Sequence, residues 1–155
     1  MNTVSLVTGA NRGIGREVAR RLAALGHHVV LGARDAAKGV AVADEIRAAG
    51  GTATPLELDI TSAESVRGAA AAIAVDIGGL DVLVNNAAIN YDTWQGAVDA
   101  DLDEVGETLN TNLFGTWRVT QAMLPLLRQS SHARIVNVSS GAGALSDMGG
   151  RAPGY

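Results

Sequence analysis

The sequence has no cysteine, three prolines, a single lysine (Lys38) and only 3% aromatic residues in a chain of 155. The lack of cysteine excludes a disulfide framework and a thiolate metal site, and we predict no bound metal. No run approaches 18 apolar residues, so we expect no membrane span. The formal net charge of −4 includes no basic block, which argues against a nucleic-acid partner. A strand-like run already covers residues 4–7, so we expect no signal peptide and a cytoplasmic location.

Glycine and small aliphatic residues are abundant, with 19 glycines and 47% hydrophobic residues. This composition suits an α/β sandwich, and the length suits one compact domain spanning residues 1–155. Short apolar runs alternate with segments of helical spacing, which predicts parallel strands joined by right-handed helical crossovers. The predicted strands cover residues 4–7, 29–31, 53–58, 80–84 and 134–138.

Three local features refine this outline. Pro55 cannot donate to a sheet ladder, so it indicates an edge position or a late start for the third strand. Thr61 and Glu64 have the spacing of a capping box, which predicts a helix starting there and running to about residue 77. Residues 99–129 are predicted to be mostly helical, with a break near residues 110–115.

A glycine-rich segment, Thr8 to Gly15, lies between the first predicted strand and the first helix. A pyrophosphate needs backbone amides that it can approach without Cβ atoms in the way, and the positive end of a helix dipole favours an anion. Gly9, Gly13 and Gly15 would provide that access. The alternative is an ordinary glycine-rich turn, but the strand before and the helix after favour a phosphate loop.

Four further motifs follow along the chain. Asp59 ends the third strand, the pair Asn85 and Asn86 ends the fourth, Asn112 precedes Gly115 within the long helical segment, and Ser139 and Ser140 follow the fifth strand. Each also has a simpler interpretation. Asp59 could cap a helix, the Asn pair could be turn chemistry, the Asn and Gly could separate two ordinary helices, and a serine at a strand end is commonly a turn residue.

Together with Tyr155, these motifs and the glycine spacing resemble the short-chain dehydrogenase/reductase family over essentially the whole chain. Residues 29–39 and 80–87 are especially similar to its carbonyl-reductase-like members, although Ala88 stands where the family's Asn-Asn-Ala-Gly motif has glycine. The resemblance implies a Rossmann-type, doubly wound parallel sheet in three α/β/α layers. It also implies a dinucleotide site formed by Gly9, Asn11, Arg12, Gly13, Ile14, Gly15, Arg34, Asp59, Ile60, Asn86 and Ala87.

The resemblance further implies interconversion of a small-molecule carbonyl and an alcohol by hydride transfer. Tyr155 would protonate the carbonyl oxygen, Ser140 would hydrogen-bond it, and Asn112 would hold a helix kink and a relay water. A phenol with a pKa of about 10 needs a nearby cation to act near neutrality, and the family's lysine four residues later has no counterpart here. We therefore interpret the chain as the N-terminal portion of a longer enzyme that also supplies C-terminal strands and helices. A non-catalytic nucleotide-binding module is the alternative.

The second strand carries the indication of cofactor type. An NAD enzyme places an acidic residue at its end to bind the ribose 2′-hydroxyl, but this sequence has Ala33 there, followed by Arg34. Arg12 and Arg34 could flank a 2′-phosphate by charge-assisted hydrogen bonds, which favours NADP over NAD. Asp35 is the counter-indication, and either arginine alone would read as a surface charge. Homo-oligomerisation through an apolar stripe that includes Trp117 remains open, as does packing of that stripe on the sheet.

Overall fold

The computed structural model describes residues 2–90, 96 and 98–141. Within them, five parallel strands form one sheet in the order β3-β2-β1-β4-β5. The chain adds strands outward from β1 and then crosses to its other side for β4, which creates a topological switch point between β1 and β4. The strands are Val4–Thr8 (β1), His28–Ala33 (β2), Thr52–Glu57 (β3), Val82–Asn85 (β4) and Arg134–Asn137 (β5).

The helices lie between the strands in the predicted alternation. They are Gly13–Ala24 (α1), Ala36–Ala48 (α2), Ala63–Ala72 (α3), Leu102–Leu109 (α4) and Thr116–Leu127 (α5). A π-helical segment, Ile73–Ile77, extends α3 to the left-handed Gly78, so the predicted end near residue 77 is confirmed. A second π-helical segment, Asn110–Gly115, joins α4 to α5.

Two hydrophobic clusters cover opposite faces of the sheet. Successive side chains of a strand point to opposite faces, so Leu6 and Val7 of β1 enter different clusters. Leu6 packs with residues of α3 and α5, such as Val66 and Met123. Val7 packs with residues of α1 and α2, such as Ala19. The predicted Rossmann-type, three-layer α/β/α architecture is therefore confirmed.

The position of Pro55 is also as predicted, because β3 is an edge strand. The prediction that Thr61 caps the next helix was wrong. Ser62, not Thr61, caps α3 by accepting a hydrogen bond from the Ser65 backbone N–H at 3.2 Å. Thr61 is one residue before the cap position. Its hydroxyl is not available to the helix because it donates to Asp59 at 2.7 Å.

The predicted break at residues 110–115 is a change of helix type. The backbone stays right-handed helical from Leu109 through Thr116. A π-helical turn holds more residues than an α-helical turn, so side chains after it are rotated about the axis. Within α5 the apolar stripe does not lie on one buried face, since Trp117 is 56% exposed and Leu127 is 2% exposed. No helix in the described part of the chain is long and apolar enough to cross a membrane.

A carboxylate joins three elements at the amino edge of the sheet. Asp81 accepts hydrogen bonds from the Ser130 hydroxyl at 2.6 Å and from the Val4 backbone N–H at 2.8 Å. These two bonds lower the pKa of Asp81, with smaller contributions from the charges of His132 and His27, while burial opposes them. The ionised carboxylate thus binds β1 and the turn before β5 to the start of β4.

Replacing Asp81 with asparagine should lower the free energy of unfolding at pH 7 by about 1 kcal/mol, a charge-assisted bond reduced by solvent screening. Because the folded-state pKa lies below the unfolded value, the stability that Asp81 provides is present above the unfolded pKa of about 3.9 and is lost as the pH falls through the folded value. Urea unfolding between pH 7 and pH 3 should therefore show a smaller acid loss in the variant. Parallel curves for the two proteins would contradict this assignment.

Candidate functional site

The glycine loop follows β1 directly and turns into α1. Gly9 and Gly13 have φ angles of +65° and +55°, which side-chain-bearing residues rarely adopt. A Cβ at Gly13 would meet no heavy atom within 4 Å, so the backbone here faces open space. The loop is tied to β2 because the Ala10 N–H donates to the Gly32 carbonyl at 3.1 Å.

The first turn of α1 has no side-chain cap for its amide groups in the part of the chain that the structure describes. Its N-cap residue is Arg12, which makes no side-chain cap bond, and no acidic residue lies in the first turn. The N-terminal amides of a helix have no intrahelical acceptor. The end of α1 therefore presents N–H groups and a positive partial charge at the open side of the loop, which suits an anion.

Thr8 and Asn86 hold this loop against the end of β4. The buried Thr8 hydroxyl accepts hydrogen bonds from the backbone N–H groups of Asn86 and Ala87, at 2.9 and 3.0 Å. In return, the Asn86 side-chain amide donates to the Thr8 carbonyl at 3.0 Å. The two strands that flank the switch point are thereby joined at their carboxyl ends. Thr8 was not predicted to form this bridge, for which a threonine at the last position of β1 is the only signal in the sequence.

A cleft of about 320 Å³ opens above this junction. It contains ten of the eleven residues predicted to bind the dinucleotide, and the exception, Gly15, is buried beneath the loop. Thr111 and Ile89 also reach the cleft, and neither was predicted from the sequence. The lining consists of Gly9, Asn11, Arg12, Gly13, Ile14, Arg34, Leu58, Asp59, Ile60, Thr61, Asn86, Ala87, Ala88, Ile89 and Thr111.

Two of the lining residues are arginines without an acidic partner. Arg12 and Arg34 form no ion pair with any residue in the ranges that the structure describes, whereas Arg16 on the same helix turn is paired with Glu45. Both guanidinium groups line the cleft without a salt bridge, where they can bind an anion, and the charge of Arg34 also acts on the Asp59 carboxylate.

Asp35, the residue that would favour NAD, is bonded to the start of α2. Its carboxylate caps α2 by accepting from the Lys38 backbone N–H at 3.2 Å and pairs with the Lys38 ammonium group at 3.1 Å. These contacts, led by the Lys38 side chain, lower its pKa. Asp35 does not line the cleft.

Thr61, two residues further along the chain, holds the Asp59 carboxylate. Its Oδ1 accepts from the Thr61 backbone N–H at 2.9 Å and from the Thr61 hydroxyl at 2.7 Å. Burial favours the neutral acid, but these bonds and the charges of Arg34 and Arg118 outweigh it, so the pKa of Asp59 is lowered. The aspartate does not cap α3, since Ser62 does. It presents an ionised acceptor to the cleft.

Asn112 lies in the π-helical segment and holds the chain beyond β4. Its Oδ1 accepts from the Ile89 backbone N–H at 2.9 Å, and its Nδ2 donates to the Ile89 carbonyl at 2.8 Å. The side chain thus makes a pair of hydrogen bonds with the backbone of one residue. A second lone pair of Oδ1 and a second N–H of Nδ2 are not used by these two bonds.

Asn85 connects the same edge to β5. Its buried amide donates to Asn137 Oδ1 at 2.8 Å and to the Thr120 hydroxyl at 3.1 Å. Ser140 follows β5 by three residues and is exposed at the carboxyl edge of the sheet. Tyr155, the predicted proton donor, lies outside the described residues.

A larger cleft of about 800 Å³ lies at the opposite, amino edge of the sheet. Two pairs of its polar side chains bond to each other, Asp81 with Ser130 and Ser131 with His132. Ligands of doubly wound sheets bind beyond the carboxyl ends of the strands. The smaller cleft is therefore the candidate site despite its size.

Comparison with known proteins agrees with this geometry. The family model for short chain dehydrogenases matches residues 3–152. Carbonyl reductase (NADPH) 3 of Homo sapiens is 40% identical over 141 residues, which cover 88% of this chain and 48% of that protein. The 3-oxoacyl-(acyl-carrier-protein) reductase of Aquifex aeolicus is 39% identical over 147 residues, covering 94% and 58% of the two chains. The crystal structure of a metagenomic short-chain oxidoreductase in complex with NADP is 36% identical with a TM-score of 0.84, covering 92% of this chain and 64% of that one.

The chain spans about half the length of the curated relatives it matches, as with the human reductase. The matched part contains the glycine loop, the switch point and the cleft. With nearly every residue inside the family model, the chain belongs to the short chain dehydrogenase family.

Proposed function

We propose that the protein of which this chain forms the nucleotide-binding part is an NADP(H)-dependent oxidoreductase that interconverts a carbonyl and an alcohol. The observation that carries the proposal is the cleft at the switch point, where a helix end without a side-chain cap meets two arginines that form no ion pair among the described residues. Relatives named for NADPH and a solved relative in complex with NADP support the choice of cofactor.

The residues of the cleft divide between the parts of the dinucleotide. The pyrophosphate would lie against the loop amides of Gly13 and Ile14, and Gly13 has no Cβ to obstruct it. The Arg12 and Arg34 guanidinium groups would bind the 2′-phosphate as charge-assisted donors. Asp59 and the Ile60 backbone would hold the adenine, and Asn86 and Ala87 would leave room for the adenosine ribose. Asn11 and Gly9 line the rest of the cleft. Gly15 has no side chain, which lets α1 approach Gly9 closely.

The reacting end would lie along the same edge of the sheet. The bound cofactor would supply the hydride. Ser140 would donate a hydrogen bond to the substrate carbonyl oxygen, and Tyr155 would transfer a proton to that oxygen. Asn112, by holding Ile89, would keep the π-helical segment beside this path. Lys38, the sole lysine of the sequence, is paired with Asp35 at the start of α2.

Isothermal titration calorimetry tests the proposal by measuring the binding of NADPH and of NADH to the 155-residue chain. We expect saturable binding of NADPH, at least about tenfold tighter than that of NADH, because one charge-assisted phosphate contact contributes roughly 1.5–3 kcal/mol. Absence of association with either nucleotide would refute the cofactor site. Binding without oxidation of NADPH by any of a set of ketones and aldehydes, measured on the complete protein, would favour the non-catalytic module.

A further inference from the structure

Arg118 connects α5 to the loop after β3. Its half-buried side chain donates from Nη1 to the Ile60 carbonyl at 2.6 Å. Gly115 lies three residues earlier, so the two residues share one face of the helix. A Cβ at Gly115 would stand 2.9 Å from the Ile60 side chain. The absence of a side chain at Gly115 thus brings α5 close enough for the arginine to reach the loop.

The bond to Ile60 acts on Asp59 through one peptide group. The carbonyl of residue 60 accepts from Arg118, and the N–H of the same peptide, that of Thr61, donates to Asp59 Oδ1 at 2.9 Å. The C=O and N–H of a trans peptide point in opposite directions. Fixing the carbonyl therefore fixes the N–H that orients the carboxylate, and the two bonds polarise one another.

These hydrogen bonds leave one carboxylate oxygen of Asp59 for a ligand. Thr61 occupies Oδ1 with both its N–H and its hydroxyl, whereas Oδ2 has no hydrogen-bond donor among the residues described. Arg118 itself forms no salt bridge within 4 Å in that part of the chain, and its charge acts on Asp59 only from a longer distance. The contact that its guanidinium group does make is with the peptide that holds Asp59.

We propose that Arg118 is a positioning residue that, through the Ile60–Thr61 peptide, aims the free oxygen of Asp59 at the exocyclic amino group of the adenine and so selects adenine over a base without that donor. The proposal rests on the dinucleotide site proposed above. It assigns a function to a helix residue that does not line the cleft.

The test uses Arg118→Met, which keeps much of the apolar stem and removes the donors. Its readout is the dissociation constant of NADPH against that of the hypoxanthine analogue, in which a carbonyl oxygen replaces the adenine amino group. We expect the variant to bind NADPH about 5- to 20-fold more weakly, on the order of one charge-assisted hydrogen bond, and the analogue within about twofold of wild type. Arg118→Lys keeps one donor for the Ile60 carbonyl and should retain most of the selectivity.

Arg67→Met is the matched control, because Arg67 is exposed on α3 and does not line the cleft. It should leave both affinities unchanged. Equal losses for the two nucleotides in Arg118→Met would overturn the proposal, as would a folded Arg118→Lys with no selectivity. The lysine variant decides the matter if the methionine variant does not fold. Failure of the wild-type chain to bind NADPH would instead reject the dinucleotide site itself, and the positioning role with it.

Discussion

Replacing Gly15 with alanine should raise the dissociation constant of NADPH at least about 50-fold and lower the free energy of unfolding by about 2 kcal/mol, within the usual cost of overpacking. Gly15 is buried in the first turn of α1. A Cβ there would collide with the Asn86 side-chain amide and with the Gly9 carbonyl, which is backbone and cannot rotate away. The end of α1 would have to move from the loop that presents its amides. Calorimetric titration and urea unfolding would measure the two effects.

Two other glycines provide the controls. A methyl group at Gly68, in the middle of α3, would meet nothing within 4 Å, so Gly68→Ala should leave NADPH binding unchanged and stabilise the chain by about 0.5–1 kcal/mol through helix propensity. Gly13→Ala adds backbone strain without a collision, because φ is +55° and the space is open. Its loss of affinity should therefore lie between the other two. Unchanged binding in Gly15→Ala would contradict the close packing of α1 on the loop.

The features that sequence predicted correctly depend on local chemistry. The parallel order of elements follows from apolar periodicity, and the glycine loop follows from its place between β1 and α1. The edge position of β3 follows from Pro55, since a residue without an N–H is tolerated where the ladder ends. Ten predicted cofactor residues meet in one cleft because the carboxyl ends of parallel strands share one edge of the sheet.

The features that sequence could not supply depend on competition between neighbours or on contacts between distant elements. Thr61 and Ser62 both carry hydroxyls, and only the capture of Thr61 by Asp59 makes Ser62 the cap. Asp35 could have faced either a ribose or α2, and the pattern of charges did not decide between them. Arg118 resembles any solvated arginine in a helical pattern, because its partner is a backbone carbonyl 58 residues away.

Replacing Arg34 with alanine should weaken NADPH binding by roughly 10- to 100-fold, equivalent to a lost charge-assisted hydrogen bond of about 1.5–3 kcal/mol. NADH, which has a hydroxyl in place of the 2′-phosphate, should lose less than about twofold by the same reasoning. Arg34 is exposed at the cleft wall, so its interaction is screened by salt. The difference between wild type and variant should therefore shrink as the ionic strength of the titration rises.

Two matched variants separate the bound phosphate from general charge and from the competing interpretation of Asp35. Arg16→Ala removes a positive charge from the start of α1, but that charge is already paired with Glu45, so the ratio of NADPH to NADH affinity should stay as in wild type. Asp35→Asn preserves an N-cap acceptor for α2 while removing the carboxylate that would bind a ribose hydroxyl. Unchanged NADH affinity in this variant, together with the selective loss in Arg34→Ala, would assign the 2′-phosphate to Arg34. A fall in NADH affinity in Asp35→Asn would assign the ribose hydroxyl to Asp35, because a carboxylate that only caps a helix makes no contact with the nucleotide. Equal losses of both nucleotides in Arg34→Ala would reject the assignment of the 2′-phosphate to Arg34.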